Sequence, residues 1–559
     1  MIEIVSLNHC QNSGNGVFLM DIRQLLKLMD ICSCAAAEKH TRVNCVTVSM
    51  SDTVLESYPM LGEVLELFAQ VVLTGRTSLD IMVTVTAQGE DGAQRMICKA
   101  SFVYVTTRSP DGEKRFCPPL KLSPSFDHDN FQWESKIAQY RKNLVKLEQT
   151  SNRNLTFDAN DNDDDATFDL LCSEVVLPAA QNHMDHTFGG QVMAWMAKVA
   201  LSVASQKSKV LPSKLLVRAI LRVDFQTGSH VSDHLRFKTR MNAVFDEGRS
   251  AEVEVRVSKK SIATGEETKM NVGYFFISGA AMGTGTDIPF QAIEAAPTTD
   301  DQVYSQAVSR RRHALARRNL LTGDDPVEWH PSLHREATLL TIESVLRLVQ
   351  HHGGEEDWRF FSPKSGNVQS LEWALGESWG RRDTFVIRSK ATMTGGSLER
   401  LFKLISTERQ QWDANCSDIQ VLEHGLEATP LPYDIVLHTA LTPKSMLYLG
   451  DKVESSVQYC RLRTGEINRE AGTAVLASQS VVHPSIADKR MATVRPSGWF
   501  LDLLKDGKTI QVTYIAEHDL TPLRKVTKLP NEKMAEALLY LSVEWLTNIQ
   551  RILQDGERS

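Results

Sequence analysis

The stretch HTFGGQVMAWM, residues 186–196, sets two adjacent glycines, Gly189 and Gly190, directly before a helix-like apolar run. A helix N-terminus carries backbone N–H groups with no intrahelical acceptor and the positive end of the helix dipole. Glycine there lets a carbonyl or phosphate oxygen reach those groups with no Cβ in the way. A thioester carbonyl seated on the Gly190 amide would have its developing oxyanion stabilised. Attack by water then needs a base. The residues just upstream supply candidates: His186, Asp185 and, one loop-turn earlier, Asn182. Imidazole suits that work at neutral pH. The same glycines equally suit a helix that packs tightly on a sheet, so residue type alone leaves both readings open.

The elements that must position these residues occur twice. One copy runs over about 1–150 and the other over 168–318, and each opens with a short apolar strand, IEIVSL or SEVVLP. A polar loop then leads into a helix-like run, QLLKLMDICSCAAAEKH from Gln24 or QVMAWMAKVALSVASQK from Gln191. Leu25, Leu28, Met29 and Cys32 in the first, and Val192, Trp195, Met196 and Val199 in the second, recur at helical spacing. Alternation with a period of two follows. In SAEVEVRVSK, Val253, Val255 and Val257 fall on one face and Glu252, Glu254 and Arg256 on the other. CKASFVYVTT and NVGYFFISGA read as last strands, and basic helical stretches, 138–147 and 307–316, close the copies. A strand, one helix and a run of antiparallel strands imply an α+β domain whose sheet wraps a single helix. Two copies in one chain imply pseudo-twofold pairing.

Between the copies, FDANDNDDDATF (157–168) is a self-repelling acidic linker. Residues 278–302, rich in Gly, Pro and small residues, mark a second boundary. Beyond it the pattern predicts a helix over 337–352, strands over 383–393, 472–483 and 508–520, and a long amphipathic helix over 532–554. A twisted sheet closed by such a helix can enclose an apolar ligand or simply bury a core.

Composition bounds the rest. A chain of 559 residues holds several domains, and a net charge of −7 with 23% charged residues gives no electrostatic footprint for nucleic acid. No apolar stretch approaches the roughly 18 residues of a membrane span, and no secretory signal is apparent. Nine cysteines, none at metal spacing, fit reduced thiols in a cytoplasmic protein. Neither a metal nor another cofactor is expected. His351 and His352 lack partners at ligand spacing and read as surface, and Arg310, Arg311 and Arg312 suit either a phosphate clamp or a solvated helix face.

The segment LPAAQNHMDHTFGGQVMAWM (177–196) resembles the signature of hotdog-fold acyl-CoA thioesterases. The whole chain resembles the two-hotdog members that carry a C-terminal StAR-related lipid-transfer (START) domain, with CVTVSMSD (45–52) and QQWDAN (410–415) extending the likeness. The resemblance implies an α+β chain with hotdog domains at 1–150 and 168–318, an acidic linker at 151–167 and a START helix-grip domain at 319–559. It implies hydrolysis of acyl-CoA to fatty acid and coenzyme A, a lipid ligand in the START domain, and homo-oligomers built as trimers of hotdog pairs. It carries coenzyme A contacts onto Val48, Ser49 and Met50, Thr77, Ser78 and Leu79, Lys142, and Phe225, Gln226 and Thr227. The family's polar residue before TFGG is usually Asn or Asp. Here His186 holds that slot and Asp185 stands where Gly is usual. In the first copy Arg23 replaces the helix-start glycine and Leu19 fills the acidic slot, leaving Asp21 as the nearby carboxylate. These departures imply one intact type of site, with Gly190 serving the oxyanion and His186, Asp185 or Asp21 the base. They also admit a second reading, an impaired hotdog pair acting as scaffold for a lipid-binding or lipid-sensing protein.

Overall fold

The computed structural model describes residues 1–14, 17–90, 92, 94–109, 111–120, 165–245, 248–260, 265–279, 303–312, 326–330, 333–350, 358–361, 367–375, 384–425, 431–441, 456–470, 472–486, 494–519 and 531–558. Lys142, His351, His352, the basic stretch 138–147 and most of both boundary segments lie outside them. The chain divides into two compact units, Met1–Ala314 and Leu315–Ser559.

The first unit is built on one ten-stranded sheet. Its strands are β1 (Ile2–Ile4), β4 (Cys45–Leu55), β5 (Val64–Thr74), β6 (Ser78–Gln88), β7 (Gln94–Thr106), β8 (Leu170–Val175), β9 (Leu215–Phe225), β10 (His234–Phe245), β11 (Ser250–Lys260) and β12 (Glu267–Gly279). A separate hairpin of β2 (Cys10–Gly14) and β3 (Val17–Met20) precedes the first helix. The order β1-β5-β6-β7-β4-β9-β12-β11-β10-β8 reads the same from either edge. The centre of that symmetry is the antiparallel pairing of β4 with β9, where Ser49 lies opposite Asp224 and Met50 opposite Val223.

One 20-residue helix serves each half, α1 (Ile22–Thr41) and α2 (Gly189–Ser208). Leu25, Leu26 and Met29 of α1 and Val192, Met193 and Met196 of α2 are buried in the core shared with the sheet. The two helices end alike, on Arg42 and Lys209 in the left-handed region at φ 60° and 56°. A helix lying on an antiparallel sheet, twice over, is the tandem hotdog arrangement.

The alternating polar residues of β11 do not face water. Glu252, Glu254 and Arg256 are buried, because helix α3 (303–312) and the Asp165–Phe168 segment cover that face. Arg310 from α3 holds Glu252 by two hydrogen bonds from Nε, at 3.2 and 3.0 Å, and one from its terminal nitrogen at 2.6 Å. Asp165, at the end of the acidic linker, pairs with Arg236 and Lys238 and so is not simply solvated.

The second unit is a sheet of β14 (Arg359–Phe361), β15 (Val368–Leu375), β16 (Thr384–Met393), β17 (Cys416–His424), β18 (Tyr433–Leu441), β19 (Ser456–Asn468), β20 (Thr473–Val482), β21 (Ser497–Leu503) and β22 (Ile510–Asp519), with β13 (Val327–Glu328) beside β20. Helix α4 (His334–Gln350) lies on one face, with its Ala337 and Leu340, and Leu333 just before it, packed on Ile435, Cys460 and Leu462. Helix α5 (Leu398–Ser406) and the C-terminal helix α6 (Asn531–Arg558) cover the other face through Leu401, Leu404, Leu539, Leu546 and Ile549. A sheet gripping a long C-terminal helix is the helix-grip form.

Candidate active site

The two glycines are close to another helix. A Cβ on Gly190 would lie 2.9 Å from the Lys27 Cα and 3.0 Å from the Asp30 Cβ; one on Gly189 would lie 3.1 Å from an Asp30 carboxylate oxygen. So the N-terminus of α2 is pressed against the middle of α1, and the side chain that fills the junction is Asp30.

Asp30 has no solvent exposure. Its Oδ2 accepts the Gly190 N–H at 2.6 Å, and its Oδ1 accepts Tyr104 Oη–H at 2.7 Å and Thr47 Oγ1–H at 2.9 Å. Ser33 Oγ lies 2.8 Å from Tyr104 Oη and extends the network by one group. Burial pushes the Asp30 carboxyl above the ordinary aspartate range, against the hydrogen bonds from Tyr104, Gly190 and Thr47, which pull it down. A carboxylate held on a helix N-terminus with a raised proton affinity is suited to take a proton from water.

The Gly190 amide is therefore engaged by Asp30 rather than open, because the two helices touch at that point. The Gly189 N–H, one residue earlier, has no acceptor among the described residues, since its N-cap is Phe188 and contributes no side-chain oxygen. It is the group left to receive a carbonyl oxygen.

The other candidate bases sit elsewhere. Asp185 is exposed, in the left-handed region at φ 63°, and accepts the Gln181 amide at 2.6 Å. Asn182 Oδ1 accepts the backbone N–H groups of Met184 and His186, at 2.9 and 3.1 Å, and so shapes its own loop. His186 pairs with His230 in an isolated bridge, with ring centroids 4.4 Å apart. Its Nδ1 is buried without a partner among the described residues, and burial, then the His230 charge, hold the imidazole below its usual value against Asp185. Asp21 caps α1, accepting Arg23 N–H at 2.8 Å, and its carboxylate is locked to the Arg23 guanidinium.

The equivalent junction at the N-terminus of α1 lacks both parts. Arg23 stands at the position that Gly190 holds in α2, and Ala197 at the position that Asp30 holds in α1. The unit thus builds one carboxylate-and-glycine junction, not two.

The sheet brings part of the expected coenzyme A surface to this place. Val48 and Ser49 follow Thr47 on β4; Phe225 ends the neighbouring β9, whose Asp224 lies opposite Ser49, and Gln226 and Thr227 follow it. Gln226 and Thr227 are exposed. Thr77 and Ser78 lie at the start of β6, beside β7, which carries Tyr104. Met50 and Leu79 are fully buried core residues. Arg310, committed to Glu252 and stacked on the Tyr274 ring, is no phosphate clamp. Arg311 lies over Phe245 and Arg312 is exposed.

Asp30 belongs to no motif of residue type or spacing. Its signal is a lone carboxylate on a helix face whose other members, Leu26, Met29, Ser33 and Ala37, are all buried. A carboxylate in such a stripe must be neutralised, partnered or used.

No family model matches the chain. It is 27% identical over 509 residues to an acetyl-coenzyme A thioesterase of Rattus norvegicus, covering 87% of this chain and 84% of that protein. It is 26% identical over 536 residues to an acetyl-coenzyme A thioesterase of Mus musculus, covering 92% and 90%. Among solved structures, the human StarD13 lipid transfer and protein localization domain covers 40% of this chain and 98% of its own, at 16% identity and a TM-score of 0.29.

Proposed function

We propose that this chain, a tandem hotdog protein with a C-terminal START-type unit, hydrolyses acyl-CoA to a free fatty acid and coenzyme A. The observation that carries the reading is Asp30 buried against the N-terminus of α2. Similarity to acetyl-coenzyme A thioesterases along most of both chains supports the same reaction.

The thioester carbonyl oxygen sits at the Gly189 N–H, where the helix dipole and the free amide stabilise the charge that develops on it. Asp30 takes the proton of the attacking water. The tetrahedral intermediate collapses with loss of the coenzyme A thiolate, a leaving group that needs no proton at neutral pH. Gly190 holds and aims the carboxylate, while Tyr104 and Thr47 keep it from rotating. Asp30 thus takes the role expected of His186 or Asp185, and the Asp21–Arg23 end of α1 serves only as a cap. Coenzyme A runs over Val48, Ser49 and Phe225–Thr227, with Thr77 and Ser78 as further contacts, and Lys142, which lies outside the described residues, is a further candidate contact.

The hotdog copies are 1–150 and 168–318, a tandem repeat joined by the acidic linker 151–167, and 319–559 is the lipid-binding START domain. Exposed Ile2, Ile4 and Phe68 at one edge of the ten-stranded sheet, and Leu171 and Val175 at the other, support assembly into trimers of hotdog pairs. The setting is cytoplasmic. Thiol release from acyl-CoAs of graded chain length by the purified full chain tests the reaction, and no release from any of them overturns it.

A further inference from the structure

We propose that the second unit carries a nucleophilic serine, Ser485, activated by His483 and Glu423, that takes the acyl group of an activated carboxylic ester. The site is built from residues of the second unit alone and does not rest on hydrolysis at Asp30.

Four strand ends meet there. Glu423 is the last residue but one of β17, Tyr433 opens β18, His483 follows β20 and Trp329 follows β13. Trp329 and Tyr433 are buried in the core that α4 covers, and Ile486 packs against it, so the group lies on the α4 side of the sheet. Pro484 has no N–H with which to continue the β20 ladder. The chain turns instead, Ile486 donating its N–H to the His483 carbonyl at 3.0 Å. That turn sets Ser485 beside the His483 ring.

The protons can be placed from the partners. The Ser485 backbone N–H donates to His483 Nδ1 at 3.3 Å, so Nδ1 is an acceptor and the neutral ring carries its proton on Nε2. Ser485 Oγ lies 2.7 Å from the same Nδ1 and can only donate to it. On the far side of the ring, Nε2–H points to Glu423 Oε2 at 3.4 Å. Glu423 Oε2 also accepts Trp329 Nε1–H at 2.8 Å, and its Oε1 accepts Tyr433 Oη–H at 2.7 Å. Burial raises the Glu423 carboxyl, but the hydrogen bonds from Tyr433, Trp329 and His483 outweigh it and hold the group below the usual glutamate range. The carboxylate is therefore charged and fixed in direction.

Hydroxyl to imidazole to carboxylate, with the ring proton on the carboxylate side, is the order that nucleophilic acyl transfer requires. A turn alone would explain the Ser485 N–H contact. It does not call for the short Oγ contact, or for a carboxylate held by two further donors behind the ring. Exposure is graded to match: the His483 side chain is 13% exposed and Glu423 26%, while Ser485 is open to solvent. Ser485 Oγ attacks the ester carbonyl carbon and its proton passes to Nδ1. The imidazolium is stabilised by Glu423, and the bond from carbon to the leaving oxygen breaks with its electron pair on that oxygen. Water, deprotonated at Nδ1, then releases the carboxylic acid and restores Ser485. Solvent serves the oxyanion at so open a place, so the acyl donor must carry a leaving group that needs little help, such as an aryl oxide.

The test uses the full chain, treated with p-nitrophenyl acetate or an alkyl fluorophosphonate, with adducts located by peptide mass spectrometry and timed. Ser485 should be modified ahead of every other serine, and Ser485→Ala should remove that adduct. His483→Gln should slow modification of Ser485 by on the order of 10², and Glu423→Gln by about tenfold or more. Unfolding midpoints of the variants identify any that fail to fold. If both do, the rank of Ser485 among the serines of the unmutated chain decides alone. Modification of Ser485 no faster than of other exposed serines, or an unchanged rate in folded His483→Gln, would overturn the proposal. Acyl-CoA hydrolysis measured in parallel should be unaltered in Ser485→Ala, which keeps failure here distinct from failure at Asp30.

Discussion

Replacing Asp30 by Asn should abolish turnover and stabilise the protein. The side chains are isosteric, and the Asn carbonyl oxygen can still accept the Gly190 N–H that Asp30 accepts at 2.6 Å. The Asn amide then faces the hydroxyls of Thr47 and Tyr104, which rotate to accept. What is lost is the proton acceptor, and removal of a general base costs on the order of 10²–10⁴ in rate, or roughly 3–5 kcal/mol of barrier. The stability effect follows from the raised folded-state pKa. A carboxyl above its unfolded value of 3.8 is favoured in its protonated form by the fold. Its contribution is fully present below that unfolded value and is lost as pH rises through the folded value. At neutral pH the ionised Asp30 therefore destabilises the first unit, by about 1.4 kcal/mol for every tenfold gain in proton affinity on folding. Thermal unfolding of wild type and Asp30→Asn from pH 8 down to 4, with thiol-release assays at neutral pH, reads both effects. The substitution should raise the midpoint at pH 8, and the gap should shrink toward pH 4. A variant that keeps wild-type turnover would remove the base from Asp30, and one that unfolds earlier at pH 8 would show that the buried carboxylate does not destabilise the fold.

His186→Ala and Asp185→Ala should each keep hydrolysis within several-fold of wild type, since neither residue touches Asp30; a loss of 10² or more in steady-state kcat would return the base to that loop. Tyr104→Phe removes a hydrogen bond that pulls the Asp30 carboxyl down, so the acidic limb of kcat/KM against pH should move to higher pH with little change in KM. Arg310→Ala leaves Glu252 buried and without its main partner, which should cost about 3–5 kcal/mol in urea unfolding while acyl-CoA affinity of the folded fraction stays unchanged.

Much of the scaffold is legible in the residues because periodicity is a strong signal. The runs from Gln24 and Gln191 are helices, beginning only two residues earlier at Ile22 and Gly189, and 532–554 lies within α6. Gly189 and Gly190 are correctly read as places where something comes close. What comes close is the backbone of α1 at Lys27 and the Asp30 side chain, a contact between elements some 160 residues apart that no local pattern encodes. For that reason Gly190→Val, which looks like a clean probe of the oxyanion, would also force α1 and α2 apart. Attention to local neighbours favours His186 and Asp185, which adjoin the glycines in sequence and are held by His230 and Gln181 in space. On β11, alternation correctly separates two faces. Burial of both faces escapes it, because the covering segments, 165–168 and 303–312, come from distant parts of the chain.

The proposed thioester site forms where Asp30 of α1 meets the glycine N-terminus of α2. Its most direct test is a structure of Asp30→Asn with an intact acyl-CoA bound. The thioester carbonyl oxygen should lie about 3 Å from the Gly189 nitrogen, with the carbonyl carbon beside residue 30 and the coenzyme A chain passing Val48 and Phe225. A thioester seated instead at the α1 N-terminus between Arg23 and Ala197, or beside His186 and His230 with residue 30 untouched, would move the site away from Asp30.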